Sequence, residues 1–362
     1  MKSVTSSKTY DHPITHVAGI SYNRTIVKNT GYVWADQTVE IIENRVYDYG
    51  ITDIKDVDIP IYKYPDSNNI YIFCPGGIGD SLILTCVIKQ LQETGSNIFL
   101  VTTPMCSNIF NNELLDPSTI LDYPTKTKIV ESLDSYISYE HLFANVNDRC
   151  IPFVDSFGSL AGISDLKYKV PQYKLSAVDI LFGKALTPQR TGRKRIAIHL
   201  QASSNIRSYP LAGSILLANK LASLNYEVFL VGGLSDFNGY MKKVEDVTVA
   251  VDPPTNVYNY CGVLETVGQL GYLLTTCDLV ICPNSGVMHL AGTLNVPQLT
   301  LLGSSPPEFW TNYYNAVTIQ LNECDPCHAA HQTECKYQEN YCRNLTAINP
   351  ASLLDTVRSL VN

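Results

Sequence analysis

No run of about 18 consecutive apolar residues occurs in this chain, so no segment is expected to cross a membrane as a helix. The first residues, MKSVTSSKTYDHP, lack the apolar core of a secretion signal, and none is expected. Positive charge is short: 26 Lys and Arg against 34 Asp and Glu leave a net charge of −8. Nucleic-acid backbones are held by clustered Lys and Arg, so nucleic acid is not expected as the main partner. The same balance gives no electrostatic pull toward an anionic membrane, which leaves at most peripheral contact with one. Internal repeats and low-complexity tracts are missing as well.

What is present suits a two-domain α/β protein. A chain of 362 residues, 45% hydrophobic, is long for one core and has ample material for two domains and an appendage. Eleven cysteines without a secretion signal fit reduced thiols, buried ones acting as small hydrophobes, in a cytoplasmic protein. Residues 1–66 are rich in Tyr, Asp and Thr, with β-like runs at 38–42 and 58–62, and read as a small β appendage. The first α/β domain spans 67–190 and opens on the buried-strand run 70–74. A helix at about 80–93 follows, with Leu82, Ile83, Cys86, Val87 and Leu91 near helical spacing, and then a strand at 97–101. Shorter helices are expected around 105–112 and 155–162, and 187–193 reads as exposed linker. The second domain, 191–349, restarts with a strand at 195–200, a helix at 211–225 and a strand at 227–231. Further units follow at 247–251, 264–282 and 286–302, and 350–362 forms a closing helix with Pro350 in its first turn. Strands alternating with helices predict a parallel, doubly wound sheet in each half.

The most informative stretch is 278–303, DLVICPNSGVMHLAGTLNVPQLTLLG. It reads as a buried strand, a polar turn of Pro283, Asn284, Ser285 and Gly286, a short helix carrying His289 in its first turn, and a second buried strand. Open parallel sheets bind ligands at the carboxyl ends of their strands, beside helix N-termini whose free N–H groups suit phosphate. By position and composition this is a nucleotide or phosphate pocket; the same residues would also make an ordinary strand–helix corner with a Ser N-cap. A second corner lies at 75–81, PGGIGDS, where Gly76, Gly77 and Gly79 let the backbone approach a ligand closely. No Lys follows as in a Walker loop, and the glycine spacing is not that of a dinucleotide fingerprint. Asp80 is left with two readings: a helix cap, or a carboxylate that takes a proton from an incoming hydroxyl. In 199–207, HLQASSNIR, the residues Ser203, Ser204 and Arg207 provide hydroxyls and a fixed cation suited to a diphosphate, or else form a solvated loop. After the Gly232–Gly233 turn, Asp236 is an acid placed to hold ribose hydroxyls.

Cys324, Cys327, Cys335 and Cys342 form a further constellation in a polar segment that also holds His328 and His331. The CxxC start resembles a tetrahedral thiolate site, and zinc and iron both accept four sulfurs. Four thiolates leave no position open for water, so such an ion would staple the loop at 324–342 and take no part in catalysis. Disulfides or unpaired thiols are the other readings of the same residues.

These motifs, in this order, resemble glycosyltransferase family 9, the heptosyltransferase-like enzymes: PGGIGDS at 75–81, the loop ending in Arg207, the Gly232–Gly233 turn and NSGVMHLA at 284–291. The resemblance runs from about residue 70 to the C-terminus. It implies a GT-B fold, two Rossmann-like domains facing across a cleft, and inverting sugar transfer from a nucleotide-diphospho-sugar, commonly ADP-heptose, without a catalytic metal. It implies Asp80 as catalytic base, Ser203, Ser204 and Arg207 as donor-phosphate contacts, Asp236 as ribose acid, and Ser285, Gly286 and His289 as donor-pocket residues. Many members have Asp where this chain has Asn284, which keeps an acceptor oxygen, gains two donors and loses the charge. Contacts to the transferred sugar are therefore expected to differ. Acceptors in this class are hydroxyls on a surface glycan, on lipopolysaccharide core or on protein. Heptosyltransferases of autotransporter proteins are similar in having an N-terminal β extension and a cysteine metal site. The reading from another class is a non-catalytic nucleotide-sugar-binding or assembly protein on the same fold.

Overall fold

The computed structural model describes residues 2–6, 20–22, 30–33, 51–56, 68–74, 76–110, 114–122, 137–139, 152–199, 201–233, 241–244, 247–250, 253–304, 313, 315–324, 335, 337 and 339–361. Within the appendage, strands β1 (Lys2–Ser6), β2 (Ile20–Tyr22), β3 (Thr30–Val33) and β4 (Ile51–Asp56) form an antiparallel sheet in the order β2-β3-β1-β4. The β-like runs at 38–42 and 58–62 lie outside the described residues. The chain divides into two compact units: Met1–Gln172 with Ser304–Asn312 and Pro326–Thr333, and Tyr173–Gly303 with Tyr313–Asp325 and Glu334–Asn362.

In the first unit, β5 (Asn69–Cys74) leads into α1 (Ile78–Gln92) and β6 (Asn97–Thr102). These are followed by α2 (Pro104–Phe110), β7 (Ile120–Asp122), β8 (Ile137–Ser138) and α3 (Phe153–Leu160). The sheet is parallel, in the order β7-β6-β5-β8, with Ile72 opposite Leu100 and Phe73 opposite Val101. Helix α1 is more deeply set than its helical spacing predicts, because Leu84 and Ile88 are as fully buried as Leu82, Ile83, Cys86 and Val87. A helix apolar on every side belongs inside a core, and each such side chain stabilises the fold by about 1.5–3 kcal/mol.

The second unit opens with α4 (Ala177–Leu186), a helix that periodicity does not announce. Ser176 caps it, its Oγ accepting from Asp179 N at 3.0 Å while the Asp179 carboxylate accepts from Ser176 N. Helix α4 packs on α6 (Val267–Thr275) through glycine: a Cβ at Gly183 would meet the Tyr272 ring at 2.6 Å. Its large apolar residues Val178, Leu181 and Phe182 face solvent instead, which is why apolar spacing gave no inward register.

The six-stranded sheet of this unit is wholly parallel. Its strands are β9 (Arg195–His199), β10 (Glu227–Val231), β13 (Val257–Asn259), β14 (Leu279–Pro283), β15 (Gln298–Leu301) and β16 (Ala316–Ile319). A separate hairpin of β11 (Met241–Val244) and β12 (Val247–Ala250) precedes β13, so 247–250 pairs antiparallel outside the main sheet and β13 takes the edge position in that sheet. Helices α5 (Leu211–Ser223), α7 (Gly286–Thr293), α8 (Arg343–Thr346) and α9 (Pro350–Val361) complete the unit. A buried ion pair, Arg195 Nε to Glu227 Oε2 at 2.7 Å, ties the first residues of β9 and β10 together. Charges this deep persist only when paired, and Glu227 also accepts from Thr191 Oγ1 at 2.6 Å.

Strand order β13-β10-β9-β14-β15-β16 places the site. From β9 the chain moves outward to β10, and from β14 it moves the opposite way to β15. The loops after these two neighbouring strands therefore diverge and leave a crevice at their carboxyl ends, where open α/β sheets take their ligands.

Candidate functional site

His199 ends β9 and Ser285 follows β14, and Ser285 Oγ lies 3.0 Å from His199 Nδ1, across the point where the strand order reverses. Ser285 is the N-cap of α7, yet its side chain makes no capping bond. Asn284, Ser285 and His289 are all buried although polar. One turn into α7, His289 Nδ1 lies 2.8 Å from Tyr313 Oη. The loop after β9 turns through a short 3₁₀ segment, Asn205–Arg207, held by Ser208 Oγ, which accepts from Ala202 N at 2.9 Å and donates to Ser204 O at 2.8 Å. Arg207 Nη2 donates to Ser203 Oγ.

Desolvation pushes the pKa of His199 down to about 4. It pushes His289 down to about 3, with the Arg207 cation adding to the effect. Both imidazoles are neutral near pH 7, and Arg207 is close enough to His289 to act on it. A fixed cation, neutral ring nitrogens, hydroxyls and the first N–H groups of α7 together suit an anionic ligand rich in oxygen. Arg207 is thus linked to Ser203 and acts on His289, and Ser285 is linked to His199, at the carboxyl ends of the central strands β9 and β14, with Asn284 and Gly286 flanking Ser285. Asp236 lies outside the described residues, while Gly232 and Gly233 follow β10 ahead of it. His199 and Tyr313 are the partners that motif reading missed. His199 sat in view at a strand end, but nothing in the sequence ties Tyr313, in an irregular segment, to a helix earlier in the chain.

In the first unit, Asp80 stands at the third position of α1, half-buried, and its Oδ2 accepts from Gly77 N at 3.0 Å. A Cβ at Gly76 would come within 2.7 Å of the Asp80 side chain, so glycine is required for the carboxylate to fold back over the loop. Gly79 lies in the first turn of the helix. The cap reading of Asp80 is therefore present in the geometry, and it leaves the carboxylate at the carboxyl end of β5.

Of the four clustered cysteines, Cys327 is outside the described residues, Cys335 and Cys342 are buried, and Cys324 is half-buried. Asn344 joins two chain segments here, donating to Gly303 O at 3.2 Å and to Cys324 O at 3.0 Å and accepting from Cys324 N at 3.1 Å. Gly303 in turn lies against the Cys342 sulfur. Among the described residues, no three His, Cys, Asp or Glu side chains gather closely enough to hold a metal ion. None of the described helices is long and apolar enough to cross a membrane.

The family model described as glycosyltransferase family 9 (heptosyltransferase) matches residues 135–340, more than half of the chain. The chain belongs to this family. This family 9 protein is thus a glycosyltransferase. No curated protein matches its sequence. Its fold is similar to that of the E. coli ADP-heptose lps heptosyltransferase II, with a TM-score of 0.59 at 16% identity, covering 81% of this chain and 98% of that one. It is likewise similar to a glycosyl transferase family 9 protein from Veillonella parvula (TM-score 0.60, 14% identity, 83% and 99% covered). The iron-containing dodecameric glycosyltransferase TibC of enterotoxigenic E. coli is a third (TM-score 0.56, 18% identity, 81% and 75% covered). At these identities the likeness speaks for the fold, an α/β protein with parallel sheets of the GT-B kind.

Proposed function

We propose that this enzyme moves a sugar from a nucleotide-diphospho-sugar, an ADP-sugar first among them, to a hydroxyl on a surface glycan, lipopolysaccharide core or protein. The observation that carries the reading is the pairing of Arg207 with Ser203, and of Ser285 with His199, at the point where the strand order of the second sheet reverses. In this reading Arg207, Ser203 and Ser204 hold the diphosphate, Ser285, Gly286 and His289 complete the donor pocket, and Asn284 meets the sugar. Asp236 holds the ribose. Asp80 takes the proton from the acceptor hydroxyl, whose oxygen bonds to the anomeric carbon as the bond from that carbon to the diphosphate oxygen breaks. The transition state has oxocarbenium character, and attack on the face opposite the leaving group inverts the centre. Negative charge that grows on the diphosphate is met by Arg207, the two serines and the N–H groups of α7. TibC, one of the similar folds, was solved with ADP-D-β-D-heptose, and ADP-heptose is accordingly the first donor to test. A reducing, cytoplasmic setting goes with this proposal and suits the buried free thiols of Cys74 and Cys282.

A panel of nucleotide sugars tested by thermal shift checks the donor assignment, because a ligand of the folded state raises the melting temperature by mass action. One member is expected to raise it in wild-type protein, and Arg207→Ala is expected to weaken that ligand by about tenfold or more, the scale of one charge-assisted contact. No shift with any member would overturn the donor site.

The cysteine segment is proposed as a structural metal site with Cys324, Cys327, Cys335 and Cys342 as ligands, supported by their spacing and by the burial of Cys335 and Cys342. The ion would hold the loop by thiolate coordination and leave the reaction to Asp80 and the donor pocket. Elemental analysis is expected to find about one equivalent of zinc or iron, lost together with stability in Cys327→Ser. Metal-free wild-type protein would sink this assignment.

A further inference from the structure

Helix α4 packs on its unit through small and polar groups and turns an apolar side out. Gly183 lies against the Tyr272 ring, and the Asp179 carboxylate sits so close to α6 that a Cβ at Gly268 would come within 1.9 Å of it. Thr266 Oγ1 donates to that carboxylate at 3.4 Å, and Tyr260 Oη donates to Leu186 O at 3.0 Å. Both ends of the helix are thus fixed to the second unit. Apolar residues occur all round α4, but exposure singles out one face: Val178 is 61% exposed, Leu181 68% and Phe182 54%. With the exposed Ala185 they fall at the i, i+3, i+4 and i+7 spacing of a single stripe. Apolar groups held together at a surface mark a contact with another molecule or with a lipid phase.

Charge decides what covers the stripe. Over residues 173–194 the chain has five Lys and Arg, at 174, 184, 190, 193 and 194, against one acid, Asp179, in a protein whose net charge is −8. Asp179 is turned to the helix cap and to α6, so its charge belongs to the inward side. Asp278 pairs with both Arg190 and Lys194 and so offsets one charge of the two. Lys184 is exposed on α4 itself. We propose that this face of α4 is a docking surface for an anionic lipid bilayer. Val178, Leu181 and Phe182 enter the boundary between headgroups and acyl chains, while Lys174 and Lys184 meet headgroup phosphates. The acidic balance of the whole chain conceals this local excess, because exposed charges more than about 8 Å away are screened at physiological salt. A second copy set on the same face would bring cations against cations. A stripe of this size on a ten-residue helix also falls short of the roughly 800 Å² per partner that a stable protein interface buries. Among the acceptors proposed above, such docking favours one carried on lipid, and the docking itself requires none of the donor-site assignments.

Flotation of the full chain with vesicles tests this. Wild-type protein is expected to bind vesicles of equal phosphatidylcholine and phosphatidylglycerol about tenfold or more tightly than vesicles of phosphatidylcholine alone, and added salt should remove most of the difference. Leu181→Gln combined with Phe182→Gln changes two exposed side chains, so the fold should hold while binding to the mixed vesicles falls by about tenfold or more. Lys184→Gln should weaken binding to the mixed vesicles severalfold and leave phosphatidylcholine vesicles unaffected, a readout that stands even where the double variant fails to fold. Equal behaviour of wild-type protein toward the two vesicle types overturns the proposal, as does a folded double variant that binds as wild type does. Wild-type protein that ignores vesicles but self-associates in sedimentation velocity, with the double variant monomeric, also overturns it and gives the stripe to a second copy.

Discussion

Two strand–helix corners, one in each unit, are built from the same parts and use them differently. Each follows a buried parallel strand, β5 or β14, and each opens a helix with small residues and one or two polar groups. At the first corner the N-cap is Gly77, which has no side chain, and Asp80 folds back so that its carboxylate accepts from Gly77 N. At the second the N-cap is Ser285, which has the side chain for the task and turns it toward His199 instead. An N-cap hydroxyl that forgoes its own helix gives up about 1 kcal/mol of local stability. Buried polar groups tied to one another across strands, with the local cap left unmade, mark a ligand site more strongly than a glycine-rich turn does.

The largest effect is expected at the first corner. Asp80→Asn keeps an oxygen for Gly77 N and is an equally good cap, so the melting temperature should hold. Turnover should fall roughly 100-fold or more if the carboxylate takes the acceptor proton, with donor affinity nearly unchanged. A fully active Asp80→Asn enzyme would reduce this corner to a capped helix and leave the second corner as the only chemical one.

Protonation probes the second corner. His199 and His289 have folded-state values near 4 and 3, below the unfolded value of 6.5. The unfolded chain binds more protons than the folded one between these limits, so stability is fully present above pH 6.5 and is lost as pH falls toward 4. From pH 7 to pH 5.5 the two imidazoles together should lower stability by roughly 2 kcal/mol. Urea midpoints measured across that window test this, and His199→Asn should remove its share of the slope. A flat profile would mean that these imidazoles are hydrated and the pocket is open to water.

The smallest effects separate the two uses of serine. Ser176 caps α4, so Ser176→Ala should cost about 1 kcal/mol of stability and leave activity alone. Ser285→Ala removes no cap but leaves the desolvated His199 Nδ1 without this partner, so it should cost about 1–3 kcal/mol and, unlike Ser176→Ala, weaken the donor several-fold. Unchanged donor affinity in Ser285→Ala would erase the distinction.

Much of this was legible beforehand where the physics is local. The run from Ile70 to Cys74 and the spacing of Leu82, Cys86 and Leu91 announced β5 and α1, since burial of a strand or helix face imposes its own period. The turn at Pro283–Gly286 was readable as a strand end, and so were Ser203, Ser204 and Arg207 as polar residues after β9. Helix α4 was not, because it packs through Gly183 while exposing Val178, Leu181 and Phe182, so its apolar spacing carries no inward signal. The parallel unit that the sequence predicts at 247–251 is instead, over the described residues 247–250, paired antiparallel with β11.

By itself the sequence determined the periodic elements, the two glycine-bearing corners and the family to which the order of motifs belongs, because each depends on residues a few positions apart. The tertiary structure decided which polar groups meet. His199 reaches Ser285 only because β14 pairs with β9 after four intervening strands of chain have been laid elsewhere, and Tyr313 reaches His289 only because Gly292 leaves room for its ring. A parallel sheet joins its strands by crossovers, so the ends of neighbouring strands are distant in sequence, and no local pattern encodes which of them will face each other.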